Sequence, residues 1–388
     1  MISLRSFHPT PPAGPAYGGH PDRILMTADT VGGVWGFALD VCRGWSSGGT
    51  RVILATMGSP LRPDQWEEVY AIPGLQVEES RYRLEWMEDP WDDVDQAGAW
   101  LLELARKWKP DLIHLNGYAH GCLPWRAPVL MTAHSCVLSW WQAVHRKPAP
   151  RDWDRYEHRV REGWQSADMI TAPTAALAEA MLNIYGVPRR LKVIPNGRDP
   201  SGFQGEPFRA PIIAGAGRLW DEAKNLRALA EAADGLQWPV VVAGDCQEAS
   251  KSGPAAFPNV SLKGHLTQRD LRRLLSKAAI FAHPAWYEPF GLAVLEAALS
   301  GCALVLGDIP SLREVWGGSA LYIDPENPAD LAKTLEELIR DPELRDQMAA
   351  LARHRASQYT AARMFRTYQN TAAQLLDGWS RQGIPTPA

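Results

Sequence analysis

Two glutamates, Glu288 and Glu296, stand either side of Gly291, directly after a short apolar run. If that run is a strand and the glycine opens a helix, the step between the carboxylates spans roughly 12 Å. Between them lie the free amides and positive dipole end of the helix start. The combination suits a diphosphate at the helix tip, with each carboxylate accepting hydrogen bonds from hydroxyls at its own end. An isolated pair at this spacing describes many solvated surface helices; the strand, loop and glycine around it raise it to a candidate site. A second piece is Gly217-Arg218 with Lys224-Asn225, again between an apolar run and a helical stretch. Arginine forks onto phosphate oxygens and lysine acts as a point charge, so the two can neutralise a departing diphosphate. A third piece, Thr30-Val31-Gly32-Gly33-Val34-Trp35-Gly36, is a glycine turn leading into a helix, which lets backbone amides approach a phosphate closely. It lacks the third glycine and partner acid of a GxGxxG fingerprint, and by itself is equally a steric turn.

These residues meet only if the elements carrying them converge. Short apolar runs alternate with segments of helical period, the pattern of parallel sheets covered by helices. Strands are expected at Arg23 to Ala28, Arg51 to Met57, Asp111 to Leu115, Pro128 to Ala133, Asp168 to Ala172 and Leu191 to Ile194. Around Pro195 to Pro211 the chain turns to Pro, Gly, Asn and Asp with no apolar period, as a domain boundary does. A second series follows at Pro211 to Ala216, Pro239 to Ala243, Asn259 to Leu262, Ala279 to Ala282, Ala303 to Leu306 and Ala320 to Ile323. Thr267 with Asp270 caps one helix, and Pro328 opens another that runs to about Arg340. The segment Ala361 to Ser380 places Met364, Tyr368, Ala372, Leu375 and Leu376 on one face, which needs a surface to cover. The expected organisation is a loose tail over 1–22, doubly wound α/β domains over 23–200 and 201–360, and a closing helix over 361–388. In such sheets ligands bind beyond the carboxyl ends of the strands, where all three pieces fall.

Composition removes other classes. At 388 residues and 46% hydrophobic content, the chain can fill two cores. Forty basic against 44 acidic residues, a net charge of -4, lacks the basic excess of a nucleic-acid binder. The five cysteines, Cys42, Cys122, Cys136, Cys246 and Cys302, are scattered without a CxxC pair, which fits a reduced cytoplasmic setting. The first residues lack the apolar core of a signal peptide, and no run reaches the length of a membrane span. Seventeen tryptophans are spread along the chain, so peripheral membrane contact has weak support. His114, His120 and His134 do not match zinc spacing. Asp93-Val-Asp95 and Asp152-Trp-Asp154 read as helix-start acids and a solvated stretch, so no metal is expected.

On these residues the chain resembles the group 1 glycosyltransferases, the retaining GT-B family of glycogen-synthase-like enzymes. The matching motifs are Gly32-Gly33, Thr132-Ala-His134, Pro195-Asn-Gly197 with Asp199, Gly217-Arg218 with Lys224-Asn225, Gly244-Asp245, Glu288 with Glu296, and Ser311-Leu-Arg-Glu314. Their order and spacing run nearly the whole length. The resemblance implies two Rossmann-like domains facing across a cleft, with the C-terminal helix packed back on the N-terminal domain. It implies transfer of a hexose from a UDP- or GDP-linked donor to an acceptor hydroxyl by a front-face, metal-independent mechanism with no cofactor. Arg218 and Lys224 then match the diphosphate-binding pair, Glu288 the acid on the donor sugar, and Glu296 the acid on the ribose. Phe290 and the amides of Gly291, Leu292 and Ala293 match the helix start over the phosphates; Gly32 and Gly33 match the loop closing from the other side. His134 matches the histidine near the reacting carbon, completing a catalytic set with Arg218, Lys224 and Glu288.

The sequence also departs from the family. Arg198 stands before Asp199, where a hydrophobic residue is usual, and Trp286 and Tyr287 bring aromatic bulk beside Glu288. The acceptor lining expected of the N-terminal domain is Asn116, Tyr118, His120, Ser135, Trp140 and Trp141, whose rings either stack on sugars or pack under a loop. A phosphorylase or epimerase on the same fold, or a catalytically retired nucleotide-sugar binder, are the competing readings. Retirement sits poorly with Arg218, Lys224, Glu288 and Glu296, which are costly to keep in a cleft without a ligand.

Overall fold

Runs of Val, Ile, Leu and Ala, buried on both faces, pair into two all-parallel sheets. The computed structural model describes residues 19–381 apart from 204, 207, 246–256 and 258. In the first lobe the strands are β1 (Arg23–Asp29), β2 (Arg51–Met57), β3 (Gln76–Glu79), β4 (Leu112–Leu115), β5 (Val129–Thr132), β6 (Met169–Ala172) and β7 (Leu191–Val193). Its helices are α1 (Gly33–Ser47), α2 (Pro63–Tyr70), α3 (Trp91–Trp108), α4 (Val137–His145), α5 (Asp154–Ser166) and α6 (Ala175–Tyr185). In the second lobe the strands are β8 (Ala210–Ala216), β9 (Val240–Ala243), β10 (Val260–Leu262), β11 (Ala278–His283), β12 (Ala303–Gly307) and β13 (Leu321–Ile323). Its helices are α7 (Leu226–Ala232), α8 (Gln268–Lys277), α9 (Leu292–Ser300), α10 (Pro310–Trp316), α11 (Pro328–Arg340) and α12 (Pro342–Ala356), followed by α13 (Ala361–Arg381).

Every strand expected from the apolar runs forms, within a residue or two at its ends. The unexpected one is β3, a sheet-edge strand with the sequence QVEE, whose single apolar residue gives no alternation to read. The expected caps also form: Thr267 Oγ1 accepts the Asp270 amide at 3.2 Å, and Asn327 does the same for Asp330 ahead of Pro328. The expected tail over 1–22 does not hold at its end. Residues 1–18 lie outside the described residues, but 19–22 pack on the first lobe, where Thr50 donates to the Pro21 carbonyl and the Arg51 amide to that of Asp22.

Strand order is β3-β2-β1-β4-β5-β6-β7 in one sheet and β10-β9-β8-β11-β12-β13 in the other. Winding reverses at β1/β4 and at β8/β11, and the carboxyl ends of those strands are where an open sheet leaves a crevice. The chain crosses between lobes twice, and the two crossings pair with each other. The Arg198 amide donates to the Tyr359 carbonyl and the Ala361 amide to that of Arg198, both at 3.0 Å.

After the second crossing, α13 returns to the first lobe. Met364, Tyr368, Ala372 and Leu375 share one buried cluster with Phe37, Val41 and Trp45 of α1, and Leu376 on the same face is half-buried. The Tyr368 hydroxyl lies 3.1 Å from Thr171 Oγ1, inside a polar cluster that includes Thr132 and His114. Among the described residues no helix is long and apolar enough to cross a membrane. Tyr368→Ala removes a buried ring and the hydroxyl that Thr171 and Thr132 share, while those two keep each other and His114 as partners, so it should destabilise the chain by about 3 kcal/mol or more. The check is the shift in urea midpoint, with a Tyr368→Phe variant expected to lose less.

Candidate active site

The loop after β8 is shaped by two side chains. Asp221 Oδ1 accepts the Ala223 amide at 3.1 Å and starts a single turn over Glu222–Lys224. Asn225 then takes the left-handed conformation (φ 54°), which asparagine tolerates, and its Nδ2 donates to the carbonyls of Pro284 and Pro325. This pins the loop to the segment after β11, where the Trp286 amide also donates to the Ala223 carbonyl. Lys224 Nζ is thereby held 2.8 Å from Glu288 Oε2, and His283 Nε2 approaches the same oxygen at 3.2 Å. Burial alone would raise the Glu288 carboxyl. The Lys224 ammonium and the His283 hydrogen bond outweigh it and hold the group well below the usual carboxylate range.

Ser311 Oγ donates to the Glu288 carbonyl at 2.5 Å and fixes the backbone ahead of α9. Gly291 precedes that helix with φ 88°, ψ 67°, a left-handed start for which glycine is suited, and no side chain caps it. The first amides of α9 therefore have no intrahelical partner. Across the cleft α1 also begins without a side-chain cap, after Gly32 at φ 79°. A methyl group on Gly33 would meet Leu292 at 3.7 Å, and one on Gly32 would meet Arg218 Cδ at 3.4 Å. The two helix starts thus face each other, with Arg218 laid over the glycine loop. Its guanidinium is 3.1 Å from Asp221 Oδ2 and 5.3 Å from the Trp220 ring, which stacks on Trp86 of the other lobe.

His134, just past β5, places Nε2 2.8 Å from Asn116 Oδ1. Asn116 Nδ2 is committed to the Thr27 carbonyl, so the facing oxygen is fixed and the histidine carries its proton on Nε2. Burial lowers its pKa to about 3, so the ring is neutral and Nδ1 is its acceptor nitrogen. Asp29 ends β1 beneath the glycine loop, with Oδ1 accepting the Val31 amide at 2.7 Å. Burial pushes its carboxyl up to about 7, against the opposing pull of the Val31 amide and Arg218.

Further contacts close the lobes on each other. Thr174 donates to the Pro289 carbonyl, and Glu314 caps α6 by accepting the Ala175 and Ala176 amides. The Tyr287 hydroxyl sits 2.8 Å from Ser139 Oγ and accepts the Cys136 amide. Trp140 Nε1 donates to Asp221 Oδ1. Arg198 reaches Asp40 of α1 and Glu296 of α9 at once, at 2.6 and 2.8 Å.

The structure thus brings Gly32, Gly33, Arg218, Lys224, Glu288, Gly291 and Leu292 together, while His134 lies past β5 against Asn116 and Phe37 of α1; Phe290 is buried at the base of α9 and Ala293 is half-buried in its first turn. Glu296 is buried against Arg198. Two expected acceptor residues point elsewhere. His120 sits in a tight turn that carries its ring under α3, where Nε2 bonds the Val94 carbonyl, and Tyr118 is buried with its hydroxyl donating to the Ser135 carbonyl. Asn116 orients His134, and Trp140 is held by Asp221, while Trp141 packs against His145. Sequence reasoning missed His283, Asp29 and Asp221. The signal for the first two was their place at strand ends in the crevice; Asp221 lay inside a motif already noted. Among the described residues no group of three or more His, Cys, Asp or Glu side chains is placed to hold a metal ion.

The Glycosyltransferase Family 4 profile matches residues 31–201 and the Glycosyl transferases group 1 profile residues 210–341, one to each lobe. The D-inositol 3-phosphate glycosyltransferase of Nocardioides sp. is 27% identical over 297 residues, 66% of this chain and 63% of that protein. The glycogen synthase of Mycobacterium tuberculosis is 27% identical over 282 residues, 64% of this chain and 65% of that protein. The matched stretches therefore span under two thirds of those relatives' length. Among solved structures, sucrose-phosphate synthase from Thermosynechococcus elongatus superposes with a TM-score of 0.77 at 18% identity, covering 92% of this chain and all of that one. Anabaena HepE, solved in complex with UDP-glucose, gives 0.74 at 17% identity and similar coverage. These likenesses establish the GT-B fold, and with a matching profile on each lobe the chain belongs to the group 1 glycosyltransferase family.

Proposed function

We propose that the chain is a retaining glycosyltransferase that moves a hexose from a UDP- or GDP-linked donor to an acceptor hydroxyl. The observation that carries this reading is the Lys224–Glu288 pair at the uncapped start of α9, with Arg218 and the Gly32 loop facing it. A diphosphate at that helix start meets the α9 amides, the Lys224 ammonium and the Arg218 guanidinium together. Glu288, kept ionised, is an acceptor for sugar hydroxyls on one side of the diphosphate, and Glu296 serves the ribose on the other. That HepE was solved with UDP-glucose supports a nucleotide sugar as the donor type.

In this mechanism the bond from the anomeric carbon to the diphosphate breaks through an oxocarbenium-like state. The acceptor hydroxyl enters on the same face and passes its proton to the departing phosphate. The charge growing on that phosphate is met by Arg218, Lys224 and the α9 amides, so the cations already in the site supply the stabilisation. His134, neutral and fixed by Asn116, offers an acceptor nitrogen to the sugar without adding charge beside the oxocarbenium centre.

Lys224→Ala should lower kcat/KM by about 100-fold or more while the fold is retained, since it removes a cation aimed at the leaving group. Product should form from a nucleotide sugar only when an acceptor is present and should keep the donor's anomeric configuration by NMR. Turnover of the nucleotide sugar alone, or with free phosphate, would overturn the transferase reading. Activity should persist in excess chelator; complete loss there would sink the proposed charge balance.

Asp29 gives a pH test of the cleft. Its carboxyl is raised on folding, from 3.8 to about 7. The folded state thus keeps its full stability below the ordinary carboxylate pKa and loses it as pH climbs towards about 7. The order of magnitude of that loss is about 4 kcal/mol at most. Asp29→Asn removes the penalty, so its Tm relative to the parent should rise between about pH 4 and about pH 8; a flat difference would show that Asp29 is not held protonated.

A further inference from the structure

The crossing between the lobes carries a charge that the family pattern does not call for. Arg198 is buried, at 8% exposure, and its guanidinium is shared between the lobes. Nε donates to Glu296 Oε1 of α9 at 2.8 Å, and Nη1 donates to Asp40 Oδ2 of α1 at 2.6 Å. Both acids are enclosed as well, with the Glu296 and Asp40 side chains 3% and 10% exposed. Space for the guanidinium comes from Gly36, where a methyl group would lie 2.6 Å from Nη2. The backbone of Arg198 is itself clamped by the Tyr359 carbonyl and the Ala361 amide, so the side chain leaves from a fixed point. Asp40 is further anchored by Arg43 at 2.9 Å.

A carboxylate with one oxygen tied to a fixed arginine cannot rotate freely. Among the described residues Glu296 Oε2 has no hydrogen-bond partner, and it is absent from the fully enclosed unpartnered atoms. The arrangement therefore leaves one acceptor oxygen of Glu296 available and sets its direction from a helix of the opposite lobe.

We propose that Asp40 and Arg198 are positioning residues for the ribose end of the donor site. Asp40 on α1 orients the Arg198 guanidinium, which orients Glu296, so ribose recognition by the second lobe is set by a residue of the first. This rests on the reading of Glu296 as the ribose carboxylate. Arg198 and Gly36 are a matched pair in this assignment, the glycine admitting the guanidinium that replaces a hydrophobic side chain in the crossing.

Isothermal titration of the full chain with UDP, GDP and ADP, and with inorganic pyrophosphate for comparison, tests this. In Asp40→Asn the preferred nucleoside diphosphate should bind about tenfold more weakly, the loss of one charge-assisted hydrogen bond, while pyrophosphate stays within about twofold. Arg198→Lys, which keeps the charge but cannot fork to both acids, should behave the same way. Circular dichroism and Tm identify a variant that has failed to fold, and Asp40→Asn, which leaves Arg198 and Glu296 paired, is the milder change. If the nucleoside diphosphate binds both variants as it binds the parent, or if pyrophosphate weakens equally, the positioning role is overturned and the triad is only structural. If the parent binds none of the nucleoside diphosphates, the donor reading itself falls, and this inference with it.

Discussion

The amino end of α9 is the constraint around which the rest is arranged. From Val294 to Ser300 the helix is buried on every side, yet it opens at a left-handed glycine without a capping side chain. Unsatisfied amides at a buried helix start cost free energy unless a ligand or water takes them. The helix-end dipole contributes only about 0.3–2 kcal/mol to binding an anion, so the amides chiefly fix its position. The larger electrostatic share comes from Arg218 and Lys224, brought to the helix by the loop after β8. That loop reaches them because β8 and β11 are neighbours at the point where the sheet reverses its winding.

The charges within the cleft are kept distinct by their partners. Glu288 holds its negative charge because Lys224 and His283 share one of its oxygens. His134 is held neutral by burial, so no imidazolium competes with Arg218 and Lys224 for an anion. Asp29, deeper and with one backbone donor, sits near the opposite balance, where burial outweighs the pull of Arg218. Burial and partners thus move the three groups differently: Glu288 is held ionised, His134 neutral, and the Asp29 carboxyl is raised.

Much of this was legible in the sequence because it is local. Every strand but β3 was a continuous apolar run, and Lys224, Glu288 and Gly291 each sit in a loop after such a run, so the winding rule places them. What escaped depends on contacts distant in sequence. His283 is a strand-end residue that joins the site only through Glu288, and Asp221 becomes an interlobe contact only through Trp140. His120 looked like a cleft residue from its position after β4. The tight turn Ala119–Cys122 rotates it under α3, a choice made by packing against Gly98 and the Val94 carbonyl. The Arg198 departure was visible as an odd residue, but the two acids it joins lie 158 and 98 positions away.

The contacts between the lobes differ in what it costs to part them. At the mouth, His145–Glu222, Arg146–Glu326 and His265–Asp64 are exposed or half-exposed pairs whose members return to water on separation, each worth about 0–1 kcal/mol. The Trp140, Tyr287 and Thr174 hydrogen bonds further in come from neutral donors, one each for Trp140 and Thr174 and two at the Tyr287 hydroxyl. At the crossing the balance is different: parting Arg198 from Glu296 would leave a buried charge uncompensated, at a cost of about 3–5 kcal/mol. The same crossing is clamped by the Arg198–Thr360 bridge and by α13 packed on α1. The least costly separation of the lobes therefore opens the mouth and keeps the crossing intact, which leaves Glu296 aimed while Arg218 and the Gly32 loop move apart.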